Sequence, residues 1–163
     1  MNIFYLSQHP GEAAKFHNDK HTIKMILESA QLLSTAHRVL DGELAPFGVY
    51  KATHINHPCA IWVRSGIPQY SWTANLFTEL MKEYTHRYGK HHACEKLAVI
   101  LHRYPLNIPD ATWSDPPQCM PDDCKVDGDP VKAYRNYYIK HKSGFANWRN
   151  RNIPIWFHSE CGG

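Results

Sequence analysis

Apolar and polar residues recur with a helical period near the start of the chain. At about 100° per residue, one side of the segment 16–33 is apolar and carries Phe16, Ile23, Ile26, Leu27, Ala30 and Leu33. The opposite side is polar and carries His17, His21, Lys24, Glu28 and Gln31. The pattern predicts a long first helix that follows a turn at Pro10 and Gly11, ends near Leu40 and buries its apolar side. The polar side is either a solvated surface or part of a site.

Two shorter segments flank that helix. The apolar start "NIFYL" is typical of a strand or of an extended arm. Asn56 or His57 is suited to cap a short helix that has Pro58 in its first turn and Gly66 after its end.

The middle of the chain predicts more helix and then a loop. Ser71 is suited to cap a helix whose apolar residues keep a helical spacing as far as Tyr88. A further helix is expected beyond Gly89. The segment 105–124 is rich in proline and aspartate and predicts a long surface loop.

The C-terminal part restarts with a clear helix signal. Asp129 is suited to cap a helix with Pro130 at its first position and Gly144 past its end. The whole pattern predicts a mainly α-helical protein, a compact single-domain bundle over residues 1–163. We expect a helical core over about 11–103, a loop over 104–124, and a basic, aromatic C-terminal helix and tail over 125–163.

Composition is that of a globular protein. The chain has 163 residues, of which 43% are hydrophobic and 12% aromatic, enough for one substantial core. It has no apolar run long enough to cross a bilayer, and its N-terminus lacks the features of a signal peptide. We therefore expect no membrane partner and a cytoplasmic protein, in the host cytoplasm if a phage encodes it.

The five cysteines are irregularly spaced, which favours reduced thiols over a disulfide framework. Cys119 and Cys124 lie close together in sequence, and "HRYGKHHAC" concentrates three histidines and Cys94. Neither stretch has the spacing of a zinc knuckle or of an H-E-x-x-H helix. We expect no metal and no cofactor, and a zinc-dependent hydrolase stays a weaker alternative.

The net charge of +3 is small, but the charge is unevenly distributed. Residues 125–151 contain seven Lys or Arg and two Asp, with five aromatic residues between them. Cations beside aromatic rings are typical of nucleic-acid surfaces, and the predicted phosphate contacts are Arg135, Lys140 and Arg149. The alternative is a helix whose tyrosines are core and whose lysines are solvated.

Three motifs follow one another in the order of a known family. The first consists of Asp19, Lys24, Glu28, Gln31 and Leu33. The second consists of Asn56, His57, Pro58 and Trp62. The third is "EYTHRYG", with Glu83, Thr85 and Arg87. From about residue 3 to residue 96 the chain resembles the pyrimidine-dimer DNA glycosylase-like family of bacteria and phages, and more distantly the T4 pyrimidine-dimer glycosylase.

The resemblance implies an active site on the first long helix. The T4-type enzyme has a histidine seven residues before its catalytic glutamate, and His21 and Glu28 have the same spacing. Its nucleophile is the N-terminal amine of a threonine, whereas position 2 here is Asn. The sequence leaves the nucleophile open between Lys24, the Met1 amine and none, with Lys24 the candidate by position.

The matched residues are given roles on this basis. The predicted catalytic residues are Lys24 as nucleophile, Glu28 as general acid or base, and His21. The predicted substrate-binding residues are Asp19, Gln31, Asn56, His57, Trp62 and Arg87. Within this second set, Asn56 and His57 would contact a base edge, Trp62 would stack on it, and Arg87 would clamp a phosphate.

Each of these substrate-binding residues also has a structural interpretation. Asn56 is suited to cap a helix, and His57 and Trp62 are suited to a core. Arg87 is placed to pair with Glu83 one turn earlier. If the site exists, the three motifs should meet at one cleft.

The favoured function is an enzyme acting on DNA or a nucleotide, with base-excision glycosylase or lyase chemistry on damaged or modified pyrimidines. The alternative is a non-catalytic phage protein that binds nucleic acid or a nucleotide. The oligomeric state is left open.

Overall fold

A computed structural model describes residues 1–161, and within that range it contains helices and no β-strand. The α-helices are α1 (Pro10–Phe16), α2 (Asp19–Asp41), α3 (Pro58–Val63), α4 (Ile67–Tyr88), α5 (Ala98–Leu101), α6 (Pro130–Tyr137) and α7 (Ile155–Cys161). Four 3-10 turns occur at Gly42–Leu44, Ala93–Leu97, Asp122–Cys124 and Ser143–Phe145, and a π turn at Tyr138–Lys142. The prediction of a mainly α-helical bundle is confirmed.

The core forms where α2 packs against α4, and α1 also packs against α4. Helix α2 contributes the fully buried Met25, Ile26 and Leu33, which follow the helical spacing of its sequence. Helix α4 contributes Leu76 and Phe77 in the same way. These two long helices form the rigid frame that carries most of the motif residues.

The predicted single first helix is wrong, because the chain breaks it at His17 and Asn18. His17 is extended, and the Asn18 side chain caps α2 by accepting a hydrogen bond from the backbone N–H of His21 at 2.9 Å. Within α2, Ile23 and Leu27, which were predicted to be core residues, are each 43% exposed.

Helix α4 begins at Ile67, four residues earlier than the predicted cap at Ser71. Its cap position is Gly66, where a Cβ atom would lie 2.6 Å from the Gln69 side chain and 2.9 Å from that of Ala111. Glycine is therefore required by close packing with the loop. Ser71 lies inside the helix and donates to the Tyr104 hydroxyl.

Two other caps agree with the sequence. The His57 ring accepts from the backbone N–H of Cys59 at the start of α3, and Asp129 accepts from that of Lys132 at the start of α6. Helix α6 ends at Tyr137 rather than near Gly144, and the π turn and a 3-10 turn replace its predicted end.

The N-terminal residues form an extended arm without a strand partner. Residues 3–7 are buried, although they have no helical hydrogen bonds. The arm is fixed by side chains that hydrogen-bond to it: Arg135 donates to the Leu6 carbonyl at 2.9 Å, and Trp72 to that of Gln8 at 2.8 Å. Phe4 has a φ of 43°, so the arm bends sharply just after its first residues. This path brings Met1 against α2.

The proline-rich segment 105–124 is irregular apart from the short turn at Asp122–Cys124, as predicted. Its carbonyls accept hydrogen bonds from core side chains, from Trp62 to Ser114 at 3.0 Å and from Gln69 to Thr112 at 2.8 Å. No helix within residues 1–161 is both long and apolar enough to span a bilayer.

Candidate active site

The N-terminal amine lies against a carboxylate of α2. The Met1 nitrogen is 3.3 Å from Oε1 of Glu28, and the Met1 side chain is only 2% exposed. The amide side chain of Asn2 holds this end of the arm in place, because it donates to the Cys119 carbonyl at 2.9 Å. A primary amine and a carboxylate are thus positioned together by two separate parts of the chain.

This pair lies in a surface cleft of about 410 Å³, which we call the amine cleft. Its walls come from the arm, α2, the start of α3, the loop and the π turn, and they consist of Met1, Asn2, Phe4, His21, Lys24, Glu28, His57, Cys119, Met120, Tyr137 and Lys142. A depression of about 480 Å³ beside α6 is larger. However, the guanidinium of its Arg135 is already bonded to the arm. The Lys132 and Asp129 side chains that line this depression do not form an ion pair.

His21 is held neutral in the wall of the amine cleft. Burial, and then the charges of His17 and of nearby lysines, lower the pKa of His21 to about 3. The Tyr138 hydroxyl accepts from the backbone N–H of Asn18 and lies 2.7 Å from Nδ1 of His21. With the ring hydrogen assigned to Nε2, the Tyr138 hydroxyl donates to Nδ1. His21 can donate one hydrogen bond but carries no charge at neutral pH.

The amine cleft has more positive than negative groups. Lys24 is exposed and has no hydrogen bond or ion pair to any residue that the structure describes. The Lys142 ammonium lies over the Tyr137 ring, 4.8 Å from its centroid. With the Met1 amine, these groups place three cationic groups around one carboxylate, which suits a polyanionic ligand.

One end of the amine cleft is lined by sulfur and imidazole. The Cys59 and Cys119 sulfurs are 3.6 Å apart, and His57 lies beside them. The hydrogen bond from the Cys59 thiol lowers the pKa of Cys119 to about 7 and raises that of Cys59. Burial, and then the Met1 amine, lower the pKa of His57.

The family model for pyrimidine dimer DNA glycosylases matches residues 1–96, which is more than half of the chain. The chain belongs to the pyrimidine dimer DNA glycosylase family. No curated protein and no solved structure matches it. The matched region contains the arm, α1 to α4 and every α2 residue that lines the amine cleft. Membership supports a DNA-glycosylase-like function in general.

Only some residues of the three family motifs lie in the amine cleft. Lys24, Glu28 and His57 line the amine cleft, together with His21. These four residues, which the sequence predicted to share one cleft, are brought together by the structure, and their roles remain a prediction.

Arg87 is not in the amine cleft, contrary to the predicted geometry. It is 1% exposed, and its guanidinium donates to Glu83 at 2.9 Å, to Asp19 at 3.1 Å and to the Lys15 carbonyl at 3.0 Å. Arg151 adds two bonds to Glu83, at 2.7 and 3.0 Å. We call these four side chains, Arg87, Glu83, Asp19 and Arg151, the Arg87 cluster.

The Arg87 cluster has a structural role. Each of the three guanidinium nitrogens of Arg87 donates to a protein oxygen, and the residue is buried. The guanidinium is therefore not accessible to a phosphate. Burial acts to raise the pKa of Glu83, but the hydrogen bonds from Arg151 and Arg87 outweigh it and lower that pKa. Asp19 also accepts from the Arg149 backbone at 2.9 Å, so it too serves this junction of α1, α2, α4 and the C-terminal segment.

Three more predicted substrate contacts lie outside the amine cleft. Trp62 is 6% exposed, and its indole N–H donates to the Ser114 carbonyl of the loop. Because its ring is buried in the core, it is not available to stack on a base. Asn56 is exposed before α3, and Gln31 is half-buried one turn beyond Glu28. Neither side chain lines the cleft.

The three predicted phosphate contacts differ in their surroundings. Arg135 is bonded to the arm, and its guanidinium lies 5.4 Å from the Phe16 ring centroid and 5.2 Å from that of Trp156. Lys140 donates to the Asp123 carbonyl. Arg149 is exposed over the Tyr88 ring. Arg135 is therefore a packing residue, and Arg149 has the most accessible charge of the three.

The sequence named the Met1 amine as one possible nucleophile but did not predict its contact with Glu28, and it missed Lys142 as a residue of the cleft. The buried, apolar start of the chain was the available signal for the first, because an arm that packs into the core places its amine inside the molecule. Lys142 lies in the basic, aromatic segment that the sequence singled out, but helical spacing alone does not show that it faces α2.

Proposed function

We propose that this protein excises a damaged pyrimidine from duplex DNA, with the Met1 amine as nucleophile and Glu28 as the group that accepts and returns protons. The observation that carries the proposal is the 3.3 Å contact between that amine and the Glu28 carboxylate, inside a cleft of the family-matched region. DNA as the substrate follows from membership of the family.

The choice of Met1 over Lys24 rests on position and on chemistry. An amine attacks only when it is neutral, and α-amino groups as a class titrate about two pH units below lysine side chains. Glu28 forms an ion pair with the Met1 amine and none with Lys24. The arm also fixes the Met1 amine, whereas Lys24 extends into solvent. Preorganisation of the reacting group favours the fixed amine.

The proposed reaction takes place at C1′ of a pyrimidine nucleotide. The amine nitrogen forms a bond to C1′ of the deoxyribose while the bond from C1′ to the base nitrogen breaks, and the base leaves with that electron pair. Glu28 takes a proton from the attacking amine and returns it when the sugar ring opens. The product is a protonated imine between Met1 and C1′, and the departing base anion takes its proton from water. Loss of the C2′ proton then breaks the C3′–O bond, so the 3′ phosphate leaves and the strand is cleaved.

The other residues of the amine cleft have supporting roles in this proposal. Lys24 and Lys142 hold phosphates on either side of the target nucleotide, as ammonium groups do in other DNA interfaces. The ring N–H of His21 is available to donate to the sugar or the base. Because His21 is neutral, it does not form an ion pair with Glu28 in place of the Met1 amine.

The test compares ultraviolet-irradiated duplex DNA with the same duplex left unirradiated, each incubated with protein and borohydride. We expect a covalent complex with irradiated DNA only, because borohydride reduces an imine to a stable amine. Glu28→Gln should lower the rate by about 100-fold or more and leave binding in a gel-shift assay intact. The matched control is Glu79→Gln, on the surface of α4, which should retain full activity.

Two outcomes contradict the proposal. Binding to irradiated DNA without any covalent complex would identify a non-catalytic DNA-binding protein. Full activity of Glu28→Gln would remove the carboxylate from the mechanism.

A further inference from the structure

A second group of reactive side chains lies beside the amine and takes no part in the proposed reaction. It consists of His57, Cys59 and Cys119, whose candidate ligand atoms all lie within 4.8 Å of one another. Two of the three, His57 and Cys119, also line the amine cleft. Sulfur and imidazole nitrogen are the ligands that zinc prefers in proteins.

The distance between the two sulfurs fits a tetrahedral metal site. With Zn–S bonds of about 2.3 Å, two sulfurs on a tetrahedral zinc lie about 3.8 Å apart. The observed separation between the Cys59 and Cys119 sulfurs is 3.6 Å. The pair therefore needs only a small adjustment to bind one ion.

The three ligands are also held in place by the fold. His57 and Cys59 lie at the cap and in the first turn of α3, so a short helix fixes their spacing. Cys119 is held from two sides, because its carbonyl accepts from Asn2 and its backbone N–H donates to the Tyr134 hydroxyl at 3.4 Å. Rigid ligands of this kind reduce the entropy lost on binding.

We propose that His57, Cys59 and Cys119 bind one zinc ion, with a fourth position left for water. Each cysteine that becomes a ligand releases its thiol proton, and the His57 ring exchanges its capping bond to the Cys59 backbone for the metal. Three protein ligands with one open position are the arrangement of catalytic rather than closed structural zinc sites. The proposal is independent of the proposed reaction.

A second trio, Asp123, Cys124 and His141, does not carry the same inference. It offers only one sulfur, and its carboxylate and imidazole are exposed and paired with each other at 3.2 Å. That pairing accounts for the arrangement without an ion.

The test is an anaerobic titration of the reduced, chelator-treated protein with Co²⁺, followed by displacement with Zn²⁺. We expect one Co²⁺ per chain, with a thiolate-to-cobalt charge-transfer band and the d–d bands of a tetrahedral site, both lost when Zn²⁺ is added. Cys59→Ser and Cys119→Ser each leave one Co–S bond, so each should lower the charge-transfer intensity at saturating Co²⁺. Each should also weaken Zn²⁺ binding by more than about 100-fold, since even changes outside the ligand shell cost up to that much.

Two further variants separate ligation from folding. His57→Asn keeps a side chain that caps α3 but removes the imidazole, so it should fold normally and bind Zn²⁺ more weakly. Cys94→Ser is the matched control, because Cys94 is a buried free thiol that contacts the Tyr50 hydroxyl, and it should leave the cobalt spectrum unchanged.

Results of three kinds would overturn the proposal. The first is a wild-type protein that gives no thiolate-to-cobalt band. The second is a charge-transfer intensity that is unchanged in both Cys59→Ser and Cys119→Ser, or one that falls in Cys94→Ser. The third is a pair that oxidises to a disulfide in air but binds no metal when reduced, which would make it a redox pair.

Discussion

The amine cleft and the Arg87 cluster are both groups of charged side chains built on the family-matched helices, yet their surroundings are opposite. In the Arg87 cluster, four side chains are packed between helices, and Arg87 and Glu83 are 1% and 3% exposed. In the amine cleft, Lys24 is exposed and Lys142 and Glu28 are half-buried around open space. The charged groups of the Arg87 cluster are hydrogen-bonded to other protein groups, whereas the amine cleft has charged groups that are accessible to a ligand.

This difference separates two reasons for a polar residue to belong to a motif. Asp19 and Lys24 are five residues apart in the same motif, but Asp19 faces Arg87 and Lys24 faces the cleft. A motif residue that is buried and fully paired maintains the fold. One that is partly exposed beside an amine and a carboxylate is available for chemistry.

The largest effect is expected on removal of the central cation of the Arg87 cluster. Arg87→Met leaves the buried Glu83 carboxylate with only one arginine partner, so we expect a loss of about 3–5 kcal/mol in the free energy of unfolding. Urea denaturation measures it. Lys24→Met, on the exposed side of α2, should change stability by less than about 0.5 kcal/mol. Equal losses in the two variants would contradict the assignment of Arg87 to the fold.

A pH effect should also originate beside the Arg87 cluster. Burial lowers the pKa of His17 from 6.5 to about 4, and its Nδ1 lies 2.6 Å from the Ala13 carbonyl. The unfolded chain therefore takes up a proton below pH 6.5 while the folded chain does not. Stability should fall by up to about 3 kcal/mol as the pH falls from about 6.5 to about 4.

Urea denaturation across this pH range checks the contribution of His17. His17→Gln cannot titrate, so its stability should fall less steeply with pH than that of the wild type. The remaining slope belongs to groups such as His21, whose pKa is also lowered. Identical slopes in the two proteins would show that His17 is protonated normally in the fold.

The smallest effect is expected at the edge of the amine cleft. Lys142→Ala should weaken DNA binding and reduce the slope of log affinity against log salt by about 0.9, the value for one phosphate contact. Arg149→Ala tests the accessible cation of the tail in the same assay, and Lys96→Ala, exposed in the 3-10 turn before α5, is the control. A slope unchanged by Lys142→Ala would remove that lysine from the DNA interface.

Helical periodicity predicted much of the fold because the buried residues of α2 and α4 repeat at 3.6-residue spacing. Residue type at the helix starts also predicted the caps at His57 and Asp129, because there a side chain bonds a backbone group only a few residues away. Periodicity did less well elsewhere. It failed at Asn18, because the apolar residues on either side continue the same pattern through the break. Such breaks depend on tertiary contacts, here between Asn18 and Tyr138.

The candidate site was predicted only in part, for the same reason. Lys24, Glu28 and His21 share one face of a helix, so the sequence alone groups them. The partners of Glu28 and of Cys59 come from residues 1 and 119, and no local pattern connects those positions to α2 or α3. Likewise, Arg87 could be recognised as a motif residue but not as a buried one.

The most direct test of the central claim is to locate the covalent adduct that borohydride traps on ultraviolet-irradiated DNA. After nuclease and protease digestion, mass spectrometry identifies the modified peptide. We predict that the sugar remnant is attached to the α-nitrogen of the peptide beginning at Met1, and that Lys24→Ala still forms the adduct at DNA concentrations that saturate binding. An adduct on Lys24, or trapping that persists after the Met1 amine is acetylated, would contradict the account.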